Sequence, residues 1–470
     1  MSAKAKVVIS DLHIGAGRVE LGNTLEDFNV DEDFEAFLGH LVARSESDDL
    51  DLELIVAGDM FEYLQVPHVD DFDARRSYAP EDYASSTEED SIRKTRIIIS
   101  GHPLVFRAFR EFMQSDRPRR AVTIVKGNHD VNLHWNGVRT ILRDSMGATG
   151  DLYGCLRFES RRVHREGIWV EHGNQYTERI NRFDNFEDPR DPDHLDRLAL
   201  PAGSRFVYEF FNGVERERYW VDGVKPITAM IWYSLVFDLP FAFRAFLALL
   251  RLVPSLVLGS LPLGLDSEGE GGEEEAEELV SALTDPSAER SLGRQYASHP
   301  YHRRRFAQRL ECMTDWDQSR EVGGPAGSGS PETFALRRAQ ALQTNLEGVL
   351  ERTAAAKVSE EGAEVVVFGH THDALVCSLP GGGTYANCGT WVWVRDFSGE
   401  TEDTWRSFWS EPERYMTERR LNYVWISYDE EGTPQAQLLK YEREAEDYGM
   451  GEEVRSWWRR LVQWLRGLVR

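Results

Sequence analysis

Apolar residues along the first 173 positions follow two alternating periods. Val7-Val8-Ile9 is a short β-branched run of the kind a buried strand needs, and Asp31 to Ala43 sets Phe34, Phe37, Leu38 and Leu41 on one face at helical spacing. Leu52 to Ala57 predicts a second strand, residues 102–113 a second helix and Ala121 to Val125 a third strand. Val163 to Val170 predicts a further strand that ends at Glu171-His172-Gly173. From Tyr63 to Ile92 the chain is polar and acidic, which predicts a loop insertion. Such alternation predicts an α/β layered domain.

Residues 174–330 break the pattern. A long helix is then expected from Pro331 to about Lys357, with Ser330 as N-cap and Pro331 in the first helical turn, where its missing N–H leaves no partner wanting. A strand over Glu364 to Phe368 follows, with short strand-like pieces near Leu375, Tyr385 and Asn422–Tyr428. The organisation expected is a core in two parts, 1–173 and 331–445, interrupted by a mainly helical insertion at 174–330 and followed by a terminal segment at 452–470.

Composition narrows the class. With 470 residues, 41% hydrophobic and 29% charged, the chain can bury a large core, which excludes global disorder. Lys and Arg number 54 against 80 Asp and Glu, a net charge of −26, which argues against nucleic acid as a partner. Four cysteines without a CxxC pair give no disulfide framework. Met1-Ser-Ala-Lys runs directly into a strand-like segment, so a cytoplasmic protein without a cleaved signal is expected.

The candidate chemistry stands at strand ends. Asp11-Leu-His13, Gly58-Asp59, Gly127-Asn128-His129-Asp130, Glu171-His172-Gly173 and Gly369-His370-Thr-His372 each follow an apolar run. Ligands of open α/β sheets gather at the carboxyl ends of strands, so these groups are expected to converge. Carboxylates, imidazoles and one amide oxygen suit divalent Mn²⁺, with Fe or Zn²⁺ as alternatives, and there are enough for two ions. Two ions about 4 Å apart need a carboxylate that touches both. Asp11 and His13 would serve one ion, His370 and His372 can be divided between the two, and Asn128 adds a neutral oxygen.

In content and order, Asp11/His13, Asp59, Asn128/His129, His172 and His370/His372 resemble the calcineurin-like metallophosphoesterases, over roughly residues 5–173 and 331–440. The resemblance implies a four-layer αββα sandwich with a dinuclear centre. Asp11, His13, Asp59 and His372 would then bind one metal, and Asp59, Asn128, His172 and His370 the other, with Asp59 bridging. His129 would be catalytic, facing the phosphate or protonating the leaving oxygen. Something must hold that ring, and Glu62 and Asp130 are the candidates, with a solvated loop role as the alternative for each. The implied reaction is hydrolysis of a phosphoester or pyrophosphate by hydroxide generated on the metals.

Two further features point to a membrane. Residues 227–265 are strongly apolar, but Pro240, Pro254 and Pro262 and the charges of Asp238, Arg244 and Arg251 make them a poor single span. They fit a cap over an acyl chain, a membrane-dipping pair or a buried subdomain, and a lipid-linked substrate follows from the first. The stretch 266–278, with eight acidic residues, is a solvated linker. The Tyr301–Phe306 cluster reads as a solvated basic helix face. Residues 452–470 place Trp457, Trp458, Leu461, Trp464 and Leu465 on one side and five arginines mostly on the other, which predicts an amphipathic helix on an anionic membrane surface, the alternative being a helix docked on the protein's own acidic body. Peripheral association with the inner membrane is therefore expected. The rival readings are a DNA exonuclease of the same fold and a non-catalytic membrane-associated scaffold.

Overall fold

The computed structural model describes residues 3–115, 117–177, 181–225, 331–397, 400–416 and 421–443. Ser330, the apolar stretch 227–265, the acidic linker 266–278, the Tyr301–Phe306 cluster and the segment 452–470, with Trp457, Trp458, Leu461, Trp464 and Leu465, lie outside the described residues.

β1 (Ala3–Ile9) leads into α1 (Asp31–Ser47), which buries Phe34, Phe37, Leu38 and Leu41 as its spacing predicts. Asp31, Glu32 and Asp33 occupy its first turn, where negative charge complements the helix dipole. β2 (Leu50–Ala57) follows, then α2 (Glu81–Ala84), α3 (Glu88–Gly101) and α4 (Pro103–Met113). The stretch expected as a loop up to Ile92 is thus partly helical. Thr87 caps α3 by accepting the Asp90 N–H. The periodicity of α3 is hidden because its buried face includes Ser91, Lys94 and Thr95, each satisfied internally. Lys94 donates to the Tyr63 and Tyr83 carbonyls at 3.0 and 2.6 Å, and Asn132 donates to the Ser91 hydroxyl at 2.7 Å.

After β3 (Arg120–Val125), α5 (Asn136–Ser145) and β4 (Leu156–Glu159), the strand expected over Val163–Val170 is two strands. β5 (Arg162–Arg165) and β6 (Ile168–Glu171) form an antiparallel hairpin. Glu166 (φ 52°) and Gly167 (φ 75°) make its tight turn, and positive φ at both positions matches the twist of the strands they join.

The described part of the expected helical insertion is mixed. It contains the hairpin β7 (Arg190–Asp191) and β8 (His194–Leu198), then α6 (Ala202–Phe206), α7 (Asn212–Glu217) and β9 (Val224–Lys225). The chain resumes with α8 (Pro331–Glu361), β10 (Val365–Phe368), β11 (Leu375–Ser378), β12 (Thr384–Asn387), β13 (Arg395–Asp396), α9 (Glu402–Ser410), β14 (Asn422–Tyr428) and β15 (Pro434–Lys440). β9 pairs with β13, and Phe211, Val214, Trp220 and Val221 share a small core with Phe397, Trp405 and Phe408.

The protein is mixed α/β with two main sheets. One has the order β15-β14-β1-β2-β3-β4 and the other β11-β12-β10-β6-β5. β1 to β4 run parallel, as do β6, β10 and β12. Val8, Ile55 and Val125 from the first sheet meet Val170, Val365 and Val367 from the second in a shared core. The alternate residues point outward, Leu54 and Val122 towards α1 and α4, and Val366 and Phe368 towards Leu350 and Ala354 of α8. Among the described residues no helix is long and apolar enough to cross a membrane. The carboxyl ends of β1, β2, β3, β6 and β10 are where the five polar motifs begin.

Candidate metal centre

Three of the motifs leave their strands through left-handed turns at the polar residues themselves. Asp11, His13, Asp59, His370 and His372 all adopt left-handed backbone conformations, with φ of 53°, 48°, 49°, 71° and 61°. Such conformations cost on the order of 1 kcal/mol or more each and concentrate where function over-determines the backbone. Here hydrogen bonds hold them. The Gly58 carbonyl accepts the Asp11 N–H at 3.2 Å, and the Asp59 carbonyl accepts both the Leu12 and His13 N–H at 3.0 Å. Thr390 Oγ1 donates to the Asp11 carbonyl at 2.7 Å. Two glycines are dictated by close approach. A Cβ on Gly58 (φ 88°) would lie 2.5 Å from the His172 ring, and one on Gly127 would collide with Asp59 Oδ1.

The first cluster joins Asp11, His13 and His372. His372 Nε2 lies 3.3 Å from Asp11 Oδ1 and 3.3 Å from His13 Nε2. Ligand atoms about 2.0–2.1 Å from one tetrahedral ion are separated by about 3.3 Å. His13 Nδ1 meets the Glu62 carboxylate at 2.8 Å, so the proton sits there and Nε2 presents a lone pair. Asp11 is anchored by the His370 N–H, 3.0 Å from Oδ2. Burial opposes its charge, but the His372 and His172 imidazoles outweigh it and hold the Asp11 carboxyl at about 2.

The second cluster joins Asp59, His172 and His370, with Asn128 beside them. His172 Nδ1 is 3.0 Å from the Ala57 carbonyl, which can only accept, so Nδ1 carries the proton. Its Nε2 then faces Asp59 Oδ2 and Asn128 Oδ1, each at 3.0 Å. The His370 ring packs edge-on against that of His172, with centroids 5.1 Å apart. Lone pairs of His172, Asp59 and Asn128 thus face one another, an arrangement that a proton or a metal cation between them would satisfy, and the pull towards a proton is visible. Burial works against charging His172, yet Asp59 raises it to about 9. Burial likewise opposes the Asp59 anion, but His172, His129 and His13 hold its carboxyl well below the usual range. Asp59 Oδ2 also lies 4.0 Å from His13 Nε2, so this carboxylate stands between the clusters. These His and Asp groups could hold metal ions.

His129 sits at the margin, with its side chain 22% exposed. Its N–H donates to Asp59 Oδ1 at 2.8 Å, and its Nδ1 meets Glu62 Oε2 at 2.6 Å. One buried carboxylate oxygen therefore orients both His13 and His129. Burial disfavours charge on both partners, but their attraction prevails, holding Glu62 at about 2 and raising His129 to about 10. Asp130, the other candidate for orienting His129, is used differently. Its Oδ1 accepts the Gly127 N–H at 2.6 Å and its Oδ2 the Met60 N–H at 2.8 Å, so it laces two ligand loops together through their backbone.

Other groups that brace the site carry no sequence signal. Glu347, within α8, accepts from the Thr371 hydroxyl, from Tyr385 OH at 3.0 Å and from Asn387 Nδ2 at 3.2 Å. Lys225 donates to the Thr371 carbonyl at 2.5 Å and to Asp373 at 2.7 Å. Both hold the turn that presents His370 and His372. A separate acidic group, Asp27, Glu215 and Asp222, is likewise assembled from distant segments. No protein-family model matches this chain, and a search of curated proteins finds no match to its sequence.

Proposed function

We propose that the chain is a metal-dependent phosphoesterase, hydrolysing a phosphoester or pyrophosphate bond at a dinuclear centre. The observation that carries this reading is the position of Asp59. Its Oδ2 is 3.0 Å from His172 Nε2 and 4.0 Å from His13 Nε2, a carboxylate shared between two sets of lone pairs. The two facing sheets with helices outside, and the motifs at their strand ends, support the αββα reading of the fold. Asp11, His13, Asp59 and His372 would hold one ion, and Asp59, Asn128, His172 and His370 the other. The mixed nitrogen and oxygen donors favour Mn²⁺, Fe or Zn²⁺ over a purely oxygen-seeking cation. When bound, two such ions supply an acidified water and neutralise charge on phosphoryl oxygens.

The protein's own groups do the rest. Asn128 adds an oxygen without adding charge, which spares an anionic substrate repulsion. Glu62 holds the His129 ring by Nδ1, leaving Nε2 for a phosphoryl or leaving-group oxygen. Glu62 also fixes the His13 tautomer, so the metal side and the proton-donating side share one buried anchor. Peripheral attachment to an anionic inner-membrane surface, and a lipid-linked substrate, form the finer part of the proposal and rest on residues 227–265 and 452–470 of the sequence.

The test is hydrolysis by the full chain, stripped of metal and reloaded with Mn²⁺, of a lipid-linked pyrophosphate in mixed micelles and of a soluble aryl phosphodiester. Turnover of either, absent in Asp59→Asn, is expected. Two bound Mn²⁺ per chain without turnover of either substrate would count against the reaction. A preference for the soluble ester would remove only the lipid-linked part.

A further inference from the structure

A third group of acids contains no imidazole and is made of oxygen alone, although the Asp222 charge reaches His129. Asp27 comes from the loop between β1 and α1, Glu215 from α7, and Asp222 from the turn between α7 and β9. Each brings one carboxylate oxygen to within 4.8 Å of the others. Among the described residues no Lys, Arg or His forms an ion pair with any of the three.

A second observation comes from the amide beside them. Gln65 is 3% exposed and lays its Nε2 against Glu215 Oε2, yet among the described residues its own Oε1 has no hydrogen-bond partner. Glu215 is wholly buried and its Oε1 is also without one. On the same helix, one turn earlier, Asn212 donates Nδ2 to the Leu64 carbonyl at 3.0 Å and leaves Oδ1 buried and unpaired. A buried acceptor left without a donor costs about 1–3 kcal/mol. Three such oxygens, on Gln65, Glu215 and Asn212, make this acidic corner rich in acceptors that no described donor satisfies. Burial and the nearby Asp222 charge push the Asp27 and Glu215 carboxyls well above the usual range, as expected for acids that need a proton or a cation between them.

We propose that Asp27, Glu215 and Asp222, beside the Gln65 amide, form a third cation site that takes a hard divalent ion of the calcium class. All-oxygen donors select against the metals that imidazoles favour. A calcium ion about 2.4 Å from each oxygen can touch ligands no more than about 4.8 Å apart, and the three carboxylates meet that limit, as the imidazole clusters also do. Asp222 is exposed, which gives the ion a way in. The site fastens α7 and its following turn to the loop that carries Glu62, three residues before Gln65. It does not depend on the proposed reaction.

Equilibrium dialysis of the metal-stripped full chain against radioactive Ca²⁺ tests it. One Ca²⁺ per chain is expected in the wild type and equally in Asp59→Asn, whose defect lies in the other clusters. Asp222→Asn, a change at an exposed side chain, should weaken binding by about 10-fold or more, and Glu215→Gln should do the same. Absence of bound Ca²⁺ at millimolar concentration overturns the site. So does binding that Asp222→Asn leaves unaltered, or binding that disappears in Asp59→Asn.

Discussion

Asp59 and His172 meet at 3.0 Å through Oδ2 and Nε2, while the opposite nitrogen of the same imidazole is tied to the Ala57 carbonyl that ends β2. The pair therefore faces each other with lone pairs, and the strand that delivers Asp59 also sets the His172 tautomer. Replacing Asp59 with Asn removes the shared charge while keeping its volume. Metal content should fall from two ions per chain to one or none, with metal-dependent turnover lost by at least about 10²–10³-fold, a scale set by removal of a single transition-state-stabilising group. Elemental analysis alongside steady-state kinetics checks both. Two retained ions with near-normal rates would end the bridging assignment.

Glu62 holds His13 at 2.8 Å and His129 at 2.6 Å through one oxygen. Glu62→Gln keeps the shape but not the charge. Metal affinity or activity should fall about 10–100-fold, as is usual when a group that orients ligands is neutralised. The pH profile carries more information. The Glu62 carboxylate raises His129, so its removal must lower the pKa of that imidazole. The alkaline limb of the kcat profile, where the proton donor is lost, should move to lower pH. A profile that merely scales down would show that Glu62 supports the loop without tuning His129.

Close approach makes its own prediction. In Gly58→Ala the added methyl would press on the His172 ring at 2.5 Å and would force Ala into a φ of 88°. Destabilisation beyond about 1 kcal/mol is expected from the backbone alone, with loss of metal affinity from displacement of the ring. Denaturant melts of the metal-stripped protein measure the first effect and metal titration the second. Unchanged affinity would mean that His172 contributes little to binding.

The site is more legible in the sequence than the fold that frames it, for reasons visible in particular residues. A parallel strand buried on both faces reads as an unbroken apolar run, so the polar residues after Ile9, Ala57, Val125 and Phe368 stand out. The Arg162–Glu171 hairpin escapes because Glu166-Gly167 interrupts a run whose alternation continues on both sides. α3 escapes because its buried face is partly polar. Between Glu62 and Asp130, adjacency to His129 in sequence favours the wrong residue. Asp130 is turned towards backbone amides, and Glu62 reaches His129 only because the ends of β2 and β3 are neighbours. Glu347 and the Asp27, Glu215 and Asp222 group draw on segments whose proximity no local pattern announces.

A buried imidazole outside the candidate metal centre carries a pH signature of stability. His102 Nδ1 is 2.9 Å from Asp31 and its Nε2 is 3.4 Å from Glu26. Glu26 also accepts the Gly15, Gly17 and Phe28 N–H groups, so the ion group binds the start of α4 to the loop that follows His13. Burial opposes charge on His102, but Glu26 and Asp31 overcome it and raise the imidazole to about 10. In the unfolded chain the same group titrates near 6.5. Because the folded value is the higher one, the stabilisation is complete below about pH 6.5 and is lost progressively as pH rises towards about 10. His102→Gln removes the titrating group and retains an amide that can hydrogen-bond. The Tm gap between wild type and His102→Gln should be widest near pH 6 and narrow steadily up to pH 9.5, measured in metal-free buffer. A gap that stays constant across that interval would mean that His102 is neutral in the folded protein and acts only through packing.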